Sequence, residues 1–308
     1  MKNWDALDET GQCSVSNDRE DAKFVCDHLK IPFHEVNFVK KFWNEVFSPL
    51  IQDYQNGLTP NPDVLCNQHI KFDAFFNYAI NNLQADAIAT GHYAKSSAGE
   101  DLLNAENGKK VLALLSRYSV KLLKAFDKVK DQTFFIFKIP QNALQRTIFP
   151  IGDLTKNVVK EMAIVAGMER IAKKKESMGI CFVGNRNFNK FIEEAPGTNH
   201  PALYSRTLLT ELPYWIYKPP KEYTESQMFT SDFKFQHAHP LLSCTGHVSQ
   251  DDKVQIRLEF PIRALTKGQY AIFYSGEECL GGARITNIGP SLYDLNHREQ
   301  VVVPKGFS

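Results

Sequence analysis

Two cysteines lie where the surrounding residues could turn a thiol into a nucleophile. Cys66 follows a rigid turn-forming loop, Thr59-Pro-Asn-Pro-Asp63. We expect Cys66 to open a helix, where unpaired N–H groups and the helix dipole favour a thiolate. Cys181 lies in a loop of small residues after the basic run Lys173–Lys175, which also favours a thiolate. Unpaired cysteine is often only a small buried hydrophobe, so a packing role stays open at both positions.

Three further polar segments could bind a ligand or transfer protons. Asp63 could act as a general acid or base, although its place before the predicted helix favours a role as N-cap. Lys130-Asp-Gln132 could contact phosphates and base edges, or could be an ordinary charged loop before a strand at 133–135. His92, directly after Thr90-Gly91, could contact a ligand or could serve a structural role.

The composition excludes several classes of protein. The chain has 308 residues, 43% of them hydrophobic and 23% charged, which is typical of a folded globular protein of about two domains. A net charge of +1 gives no general attraction to nucleic acid, so an RNA-binding surface would have to be local. The six cysteines form no CxxC pair and no zinc-ligand spacing. No apolar run approaches the roughly 18 residues of a membrane span. We therefore expect a soluble protein of a reducing compartment, without a metal-ligand set.

Two different kinds of domain must position these segments. In the first half, helix-period and strand-like runs alternate, which predicts an α/β domain with a mostly parallel sheet. Residues 31–38 are predicted as a strand, and residues 85–92 as a buried strand whose carboxyl end faces a pocket. After about residue 195, prolines separate short runs, and Val254–Phe260 alternates strictly between apolar and polar residues. The C-terminal third is therefore predicted to be a small antiparallel β domain of the barrel type.

Taken together, these motifs resemble the tRNA-specific 2-thiouridylases, members of the PP-loop ATP pyrophosphatase class, and are most similar to the mitochondrial form of animals. The resemblance is carried by Met1-Lys-Asn-Trp4, Thr59-Pro-Asn-Pro-Asp63, Cys66-Asn67, Ile70-Lys-Phe72, Ala89-Thr-Gly-His-Tyr93, Lys130-Asp-Gln-Thr-Phe134, Phe149-Pro-Ile-Gly152, Lys175-Glu-Ser-Met-Gly-Ile-Cys-Phe182 and Arg263-Ala-Leu-Thr-Lys-Gly-Gln-Tyr270. These motifs are spread over nearly the whole chain.

The resemblance implies ATP-dependent transfer of sulfur to C2 of the wobble uridine in certain tRNAs. The uridine oxygen is first adenylated by ATP with loss of pyrophosphate, and a persulfide sulfur from a donor protein then displaces AMP. By motif, Cys66 corresponds to the catalytic nucleophile and Cys181 to the cysteine that carries the persulfide. In the family these two can form a disulfide. Asp63 corresponds to the group that transfers a proton at the uridine, and Mg²⁺ is expected with ATP, held largely by its phosphates.

The remaining implied contacts concern ATP and tRNA. Met1 and Gly91 match ATP-contacting positions. The positions that match tRNA contacts are Asn61, Pro62 and Asp63 at the target base, and His92, Lys130, Asp131, Gln132, Lys234, Phe235 and Gln269 elsewhere. An extruded uridine held by flanking phosphate contacts is the usual requirement for chemistry on a base in an RNA loop.

The resemblance also places two gaps in this sequence. The family's ATP site begins with a strand and a Ser-Gly-Gly-Val-Asp-Ser loop before the Met-Lys-Asn-Trp segment, and no other glycine-rich stretch here can replace that phosphate loop. Most of the family's small central domain is expected to be missing between Glu194 and Pro196. We therefore divide the chain into a truncated PP-loop-type α/β catalytic domain (1–194), a remnant junction (195–204) and a C-terminal β domain (205–308).

Two hypotheses of different classes follow. The first is a 2-thiouridylase-like sulfurtransferase, whose shortened ATP site we expect to bind ATP poorly. The alternative is a catalytically inactive truncated form that acts at most as a tRNA-binding module. A thiol oxidoreductase or a cysteine hydrolase is disfavoured, because the sequence has no CxxC and no His motif paired with Cys66. The implied partners are the tRNA anticodon loop and a sulfur-relay donor protein, with no membrane. The implied location is mitochondrial, although no targeting segment is visible, and otherwise cytoplasmic.

Overall fold

A computed structural model describes residues 1–4, 14–98, 119–174 and 201–295. These residues form a helical N-terminal unit around a small parallel sheet and a C-terminal unit of long antiparallel strands. The predicted fold class is therefore confirmed. Cys181 and most of the predicted junction at 195–204 lie outside the described residues.

Helices dominate the N-terminal unit. Helix α1 is Ser14–Leu29. Helix α2 consists of Val39–Phe42, a π-helical part Trp43–Phe47, and Ser48–Gln55, and helix α3 consists of Pro62–Leu65, a π-helical part Cys66–Phe75, and Phe76–Asn81. Four shorter helices follow: α4 (Thr133–Ile136), α5 (Gln141–Leu144), α6 (Lys156–Val165) and α7 (Glu169–Ala172). Among the described residues no helix is both long and apolar enough to cross a membrane.

The strands of the N-terminal unit are short. They are β1 (Ile88–Ala89), β2 (Lys95–Ser96), β3 (Leu122–Leu123) and β4 (Thr147–Ile148). Strand β1 pairs in parallel with β4, and an isolated parallel bridge joins Lys2 to Asn37. The predicted strand at 31–38 thus forms only that bridge. The predicted strand at 133–135 was wrong, because these residues begin α4 and bury Phe134 and Ile136; a short apolar run does not distinguish a buried helix from a strand.

The C-terminal unit is a closed barrel. It contains β5 (Tyr204–Thr210), β6 (Tyr214–Trp215), helix α8 (Lys221–Ser226), β7 (Met228–Lys234), β8 (Leu242–Val248), β9 (Val254–Arg263), β10 (Tyr270–Ser275) and β11 (Glu278–Ile288). Six strands follow one another in the order β10-β7-β8-β9-β5-β11, and β11 pairs again with β10. Strand β9 alternates buried and exposed residues over its first six positions, as its sequence predicts. Closure leaves these six strands without an open sheet edge.

The two units share a core and a sheet. Val64 and Phe72 of α3 belong to the same buried cluster as Tyr270 and Ile272 of β10. Strand β3 pairs antiparallel with β11, and β2 pairs with β3, so the N-terminal unit extends the sheet of the barrel. An ion pair with a 2.5 Å separation joins Arg284 Nη2 of β11 to Asp53 Oδ2 of α2. These contacts fix the N-terminal unit against one side of the barrel.

Candidate functional site

The loop before α3 is held against the barrel. The Thr59 backbone N–H donates a hydrogen bond of 2.8 Å to the Lys267 carbonyl in the turn before β10. The next residue, Gly268, has a φ of +92°, and a Cβ there would lie 2.9 Å from the Leu58 Cβ and from the Thr59 nitrogen. Only glycine combines this left-handed backbone with such a close approach. The turn residues therefore bring the predicted base-contacting segment next to the predicted tRNA contact at Gln269.

Asn61 is the N-cap of α3. Its Oδ1 accepts hydrogen bonds from the N–H groups of Asp63 at 3.1 Å and Val64 at 3.3 Å, and Pro62 occupies the first helical position. The expectation that Asp63 caps the helix was therefore wrong. Because Asn61 takes that role, the Asp63 carboxylate remains available for another one.

Cys66 lies inside α3 and does not open it. Its N–H is already bonded to the carbonyls of Pro62 and Asp63, so the argument for a thiolate from unpaired helix-start N–H groups does not apply. The side chain is 7% exposed and packs in an apolar cluster with Val46 and Ile70. Among the described residues, Cys66 therefore has the apolar surroundings of a packed core cysteine. Cys181 is not described, and its pairing with Cys66 stays a prediction.

Asp63 and His92 are both placed in an environment that disfavours charge. Burial raises the pKa of the Asp63 carboxyl above its ordinary value, and the positive charge of Lys71 acts in the opposite direction. His92 is 8% exposed, and burial together with Lys71 lowers its pKa from 6.5 to about 3. The Lys71 Nζ lies 3.3 Å from His92 Nε2. His92 is therefore neutral at physiological pH, with an ammonium beside it.

A cavity of about 150 Å³ lies between the two units. Its wall includes Asn61 from the loop before α3, Phe135 from α4, and Phe235, His237, Gln269 and Tyr270 from the barrel. Three of the residues that the sequence associates with tRNA, far apart in the chain, thus meet around one space. Aromatic faces with a few amide and imidazole groups are the usual surroundings of an unstacked base.

Two of the three residues in the predicted tRNA-binding triplet have side chains used inside the protein. Asp131 is 4% exposed, and its carboxylate accepts hydrogen bonds from the Ala125 N–H at 2.9 Å and the Thr133 hydroxyl at 2.7 Å. Gln132 Oε1 accepts from the Tyr93 N–H at 2.9 Å. Lys130 is partly exposed. Their roles in RNA binding stay predictions, and the geometry indicates that Asp131 and Gln132 shape the loop that presents Lys130.

The barrel residues of the predicted tRNA surface differ in exposure. Phe235 is 2% exposed, stacks on Phe233 with ring centroids 6.2 Å apart, and is part of the cavity wall. Burial lowers the pKa of Lys234, while the negative charge of Asp131 raises it. Gln269 Oε1 accepts from the Thr266 N–H at 3.1 Å.

Sequence reasoning missed His237 and gave Lys71 no role. The ring of His237 lies over Phe135, with centroids 5.1 Å apart, and its Nε2–H donates to the Asp131 carbonyl at 2.6 Å. This hydrogen bond joins the barrel to the N-terminal unit. No residue spacing in the sequence predicts it. Lys71 stands within the Ile70-Lys-Phe72 motif, which was the only signal.

The predicted nucleotide contacts lie at the surface. Met1 is 48% exposed, and Gly91 is exposed with no atom within 4 Å of an added Cβ. Both positions leave room for a ligand, but among the described residues no glycine-rich loop opens a helix to hold phosphates. The same part of the chain contains no group of three or more His, Cys, Asp or Glu side chains that could hold a metal ion.

Known proteins match both units. The family described as tRNA methyl transferase HUP domain matches residues 1–185, and the aminomethyltransferase beta-barrel domain matches residues 205–285. Mitochondrial tRNA-specific 2-thiouridylase 1 of Gallus gallus is 42% identical over 96% of this chain and 86% of its own length. The chain belongs to the tRNA-specific 2-thiouridylase family. The Homo sapiens relative of the same name is 41% identical, over 96% of this chain and 85% of its own length.

The 2-thiouridylase family also has bacterial members. The tRNA-specific 2-thiouridylase MnmA of Lactococcus lactis is 35% identical over 98% of this chain and 89% of its own length. The predicted family resemblance is therefore confirmed. The alignment with the Gallus gallus 2-thiouridylase extends over 366 residues, more than the 308 of this chain, so that relative contains residues without a counterpart here.

Proposed function

We propose that this chain is a tRNA-uridine 2-sulfurtransferase that places sulfur at C2 of the wobble uridine. The observation that carries the proposal is the cavity between the two units, because it joins Asn61, Phe235 and Gln269 around a space lined by aromatic rings. Membership in the 2-thiouridylase family supplies the reaction class. The proposed location is mitochondrial, after the names of the animal relatives.

In the proposed reaction, ATP supplies the adenylate that makes the uridine oxygen a leaving group. Met1 and Gly91, both at the surface, are the proposed nucleotide contacts, and Mg²⁺ would accompany the phosphates. The terminal sulfur of a persulfide on Cys181, received from a donor protein, attacks C2, and the C2–O bond breaks as the uridine oxygen leaves with AMP. Cys66 attacks the Cys181 sulfur, so that the S–S bond of the persulfide breaks and a Cys66–Cys181 disulfide forms. That disulfide must be reduced by a thiol before the next turnover.

Asp63 is the proposed proton acceptor at N3 of the uridine. Its carboxyl lies in the first turn of α3, next to the Asn61 cap that lines the cavity. A general base works best when its pKa lies near the operating pH, and burial moves the pKa of Asp63 in that direction. One short segment at the start of α3 therefore supplies all three proposed contacts to the base, from Asn61, Pro62 and Asp63.

The proposed tRNA contacts outside the base pocket are local, as the net charge of +1 requires. Lys130 and Lys234 are the basic groups and Gln132 contributes polar atoms, while Gln269 contacts the RNA from the cavity wall and His92 from the buried end of β1. Because few phosphates would be neutralised, the slope of log K against log salt should be shallow, about −0.9 for each phosphate contact with duplex and about −0.7 with single strands.

The experiment that tests this function is a thiolation assay. It uses the purified chain, a tRNA with an unmodified wobble uridine, ATP and a persulfide donor, with 2-thiouridine measured by mass spectrometry of nucleosides. We expect thiolation by the wild type, loss with Cys66→Ser or Cys181→Ser, and no loss with Cys26→Ser, a partly exposed cysteine of α1. Activity that survives both catalytic-cysteine substitutions would overturn the proposed chemistry.

A second candidate is an inactive tRNA-binding module. The observation that favours it is the burial of Cys66, which is 7% exposed, lies inside α3 and packs with Val46 and Ile70. In this case the chain binds tRNA, Cys66→Ser leaves that binding unchanged, and no 2-thiouridine forms. The thiolation assay on the wild type separates the two candidates, because only the sulfurtransferase forms 2-thiouridine, whereas the binding module retains tRNA without modifying it.

A further inference from the structure

Lys71 connects two predicted site residues that belong to different elements. It lies in the π-helical part of α3, and its Nζ is 3.3 Å from Nε2 of His92, which follows β1. Asp63 lies in the first turn of the same helix, and the charge of Lys71 acts on its carboxyl. A single side chain thus links the start of α3 with the end of a parallel strand.

The contact fixes the protonation form of the His92 ring. An ammonium group can only donate a hydrogen bond, so Nε2 of His92 must be the acceptor. The proton of the neutral ring is then on Nδ1, which lies 3.0 Å from the Thr90 hydroxyl and donates to it. The ring also packs against Phe72, with centroids 5.6 Å apart. Three neighbours therefore hold one tautomer in one orientation.

The π-helical segment explains why Lys71 reaches this position. In a regular α-helix with 3.6 residues per turn, eight residues advance the side chain about 80° beyond two full turns. A π-helix has i→i+5 hydrogen bonds and more residues per turn, so each residue turns through a smaller angle. Because Cys66–Phe75 is π-helical, Lys71 is rotated back toward the face of α3 that carries Asp63.

We propose that Lys71 is a positioning residue, which holds His92 as the Nδ1–H tautomer and supplies positive charge beside the Asp63 carboxylate. The part that concerns Asp63 as proton acceptor rests on the proposed function. The part that concerns the tautomer of His92 does not.

The electrostatic effects give the direction of the expected changes. Burial raises the pKa of Asp63, and Lys71 opposes that effect; burial lowers the pKa of His92, and Lys71 adds to it. Removal of the positive charge should therefore raise the pKa of both groups. The Asp63 carboxyl would then hold its proton to higher pH than in the wild type, and His92 would lose the donor that fixes its tautomer.

The first test is ¹⁵N NMR of histidine-labelled protein, without tRNA, ATP or donor. We expect His92 of the wild type to show a protonated Nδ1 and an unprotonated Nε2. Lys71→Arg should keep this pattern, whereas Lys71→Met, which has no donor, should give mixed tautomers and a higher titration midpoint. An unchanged tautomer and midpoint in Lys71→Met, folded by circular dichroism, would overturn the proposal.

The second test is the pH profile of thiolation. With Lys71→Met the acidic limb should move to higher pH, while Lys71→Arg should restore the wild-type limb. A uniform loss of rate at all pH values, with no movement of the limb, would mean a merely structural role at Asp63. If the wild type forms no 2-thiouridine, the proposed function fails while the NMR result for His92 still stands.

Discussion

The buried His92 makes the stability of the protein dependent on pH. Its pKa is lowered from 6.5 to about 3, mainly by burial and further by Lys71. The unfolded chain takes up a proton on this residue near pH 6.5, whereas the folded protein does so only near pH 3. Stability that is fully present above pH 6.5 is therefore lost as the pH falls toward 3. Charging the ring inside the fold costs about 5 kcal/mol more than in water.

The expected size of this effect follows from the two pKa values. Between pH 7.5 and pH 4.5, proton uptake by unfolded His92 should remove about 2.5 kcal/mol of the free energy of unfolding. The substitution His92→Gln keeps an acceptor for Lys71 but cannot take up the proton. The difference between wild type and variant should therefore shift by about 2.5 kcal/mol in favour of the variant between these pH values.

The measurement is urea unfolding at pH 7.5 and pH 4.5, followed by circular dichroism. Ile70→Val is the packing control, because Ile70 is fully buried and the change should cost about 0.5–1.5 kcal/mol at both pH values. If the gap between wild type and His92→Gln is the same at both pH values, His92 is not held neutral and the reasoning is refuted.

Three further substitutions test how the site is built, each by urea unfolding. Gly268→Ala should cost about 1–3 kcal/mol, because its φ of +92° and the 2.9 Å approach of Thr59 leave no room for a Cβ. Asn61→Ala should cost about 1 kcal/mol through loss of the helix cap. Arg284→Met should cost about 1–3 kcal/mol, because it leaves the poorly exposed Asp53 carboxylate without its partner.

Each of these three has a matched comparison. Gly276→Ala also changes a glycine with positive φ, but no atom lies within 4 Å of its Cβ, so the excess cost at Gly268 measures the close approach. Asn61→Asp retains an acceptor and should lose less than Asn61→Ala. For Arg284, the double variant with Asp53→Asn should recover stability. Equal costs within any of these pairs would contradict the corresponding explanation.

The sequence predicted the architecture because its signals are local. Strict alternation at Val254–Phe260 identified a barrel strand, and alternating helix and strand periods identified the parallel sheet. The cap of α3 could also have been predicted, since Pro62 at the first helical position places the N-cap at Asn61. The prediction of Asp63 as the cap instead followed from its position three residues before Cys66, which was taken as the start of the helix.

Other features depend on contacts between distant parts of the chain. His237 and Asp131 are 106 positions apart, and their hydrogen bond exists only because the barrel packs against the N-terminal unit. The short apolar run at Thr133–Ile136 fits either a strand or a helix in sequence. In the fold it is helix α4, which buries Phe134 and Ile136. The residues Cys66–Phe75 show no sequence pattern that distinguishes their π-helical geometry from an ordinary α-helix. These elements could be assigned only from three-dimensional packing.

The extension of the barrel sheet into the N-terminal unit has a consequence for RNA entry. Strands β2 and β3 are hydrogen-bonded to β11 across the boundary, and the turn at Gly268 clasps the loop before α3. A continuous sheet across the boundary resists hinge opening, so the width of the cavity is set when the protein folds. In the proposed complex the RNA, and not the protein, would therefore change conformation on binding. Unstacking one base of the anticodon loop would cost a few kcal/mol. The rate at which this base enters the cavity would then depend on the flexibility of the RNA loop.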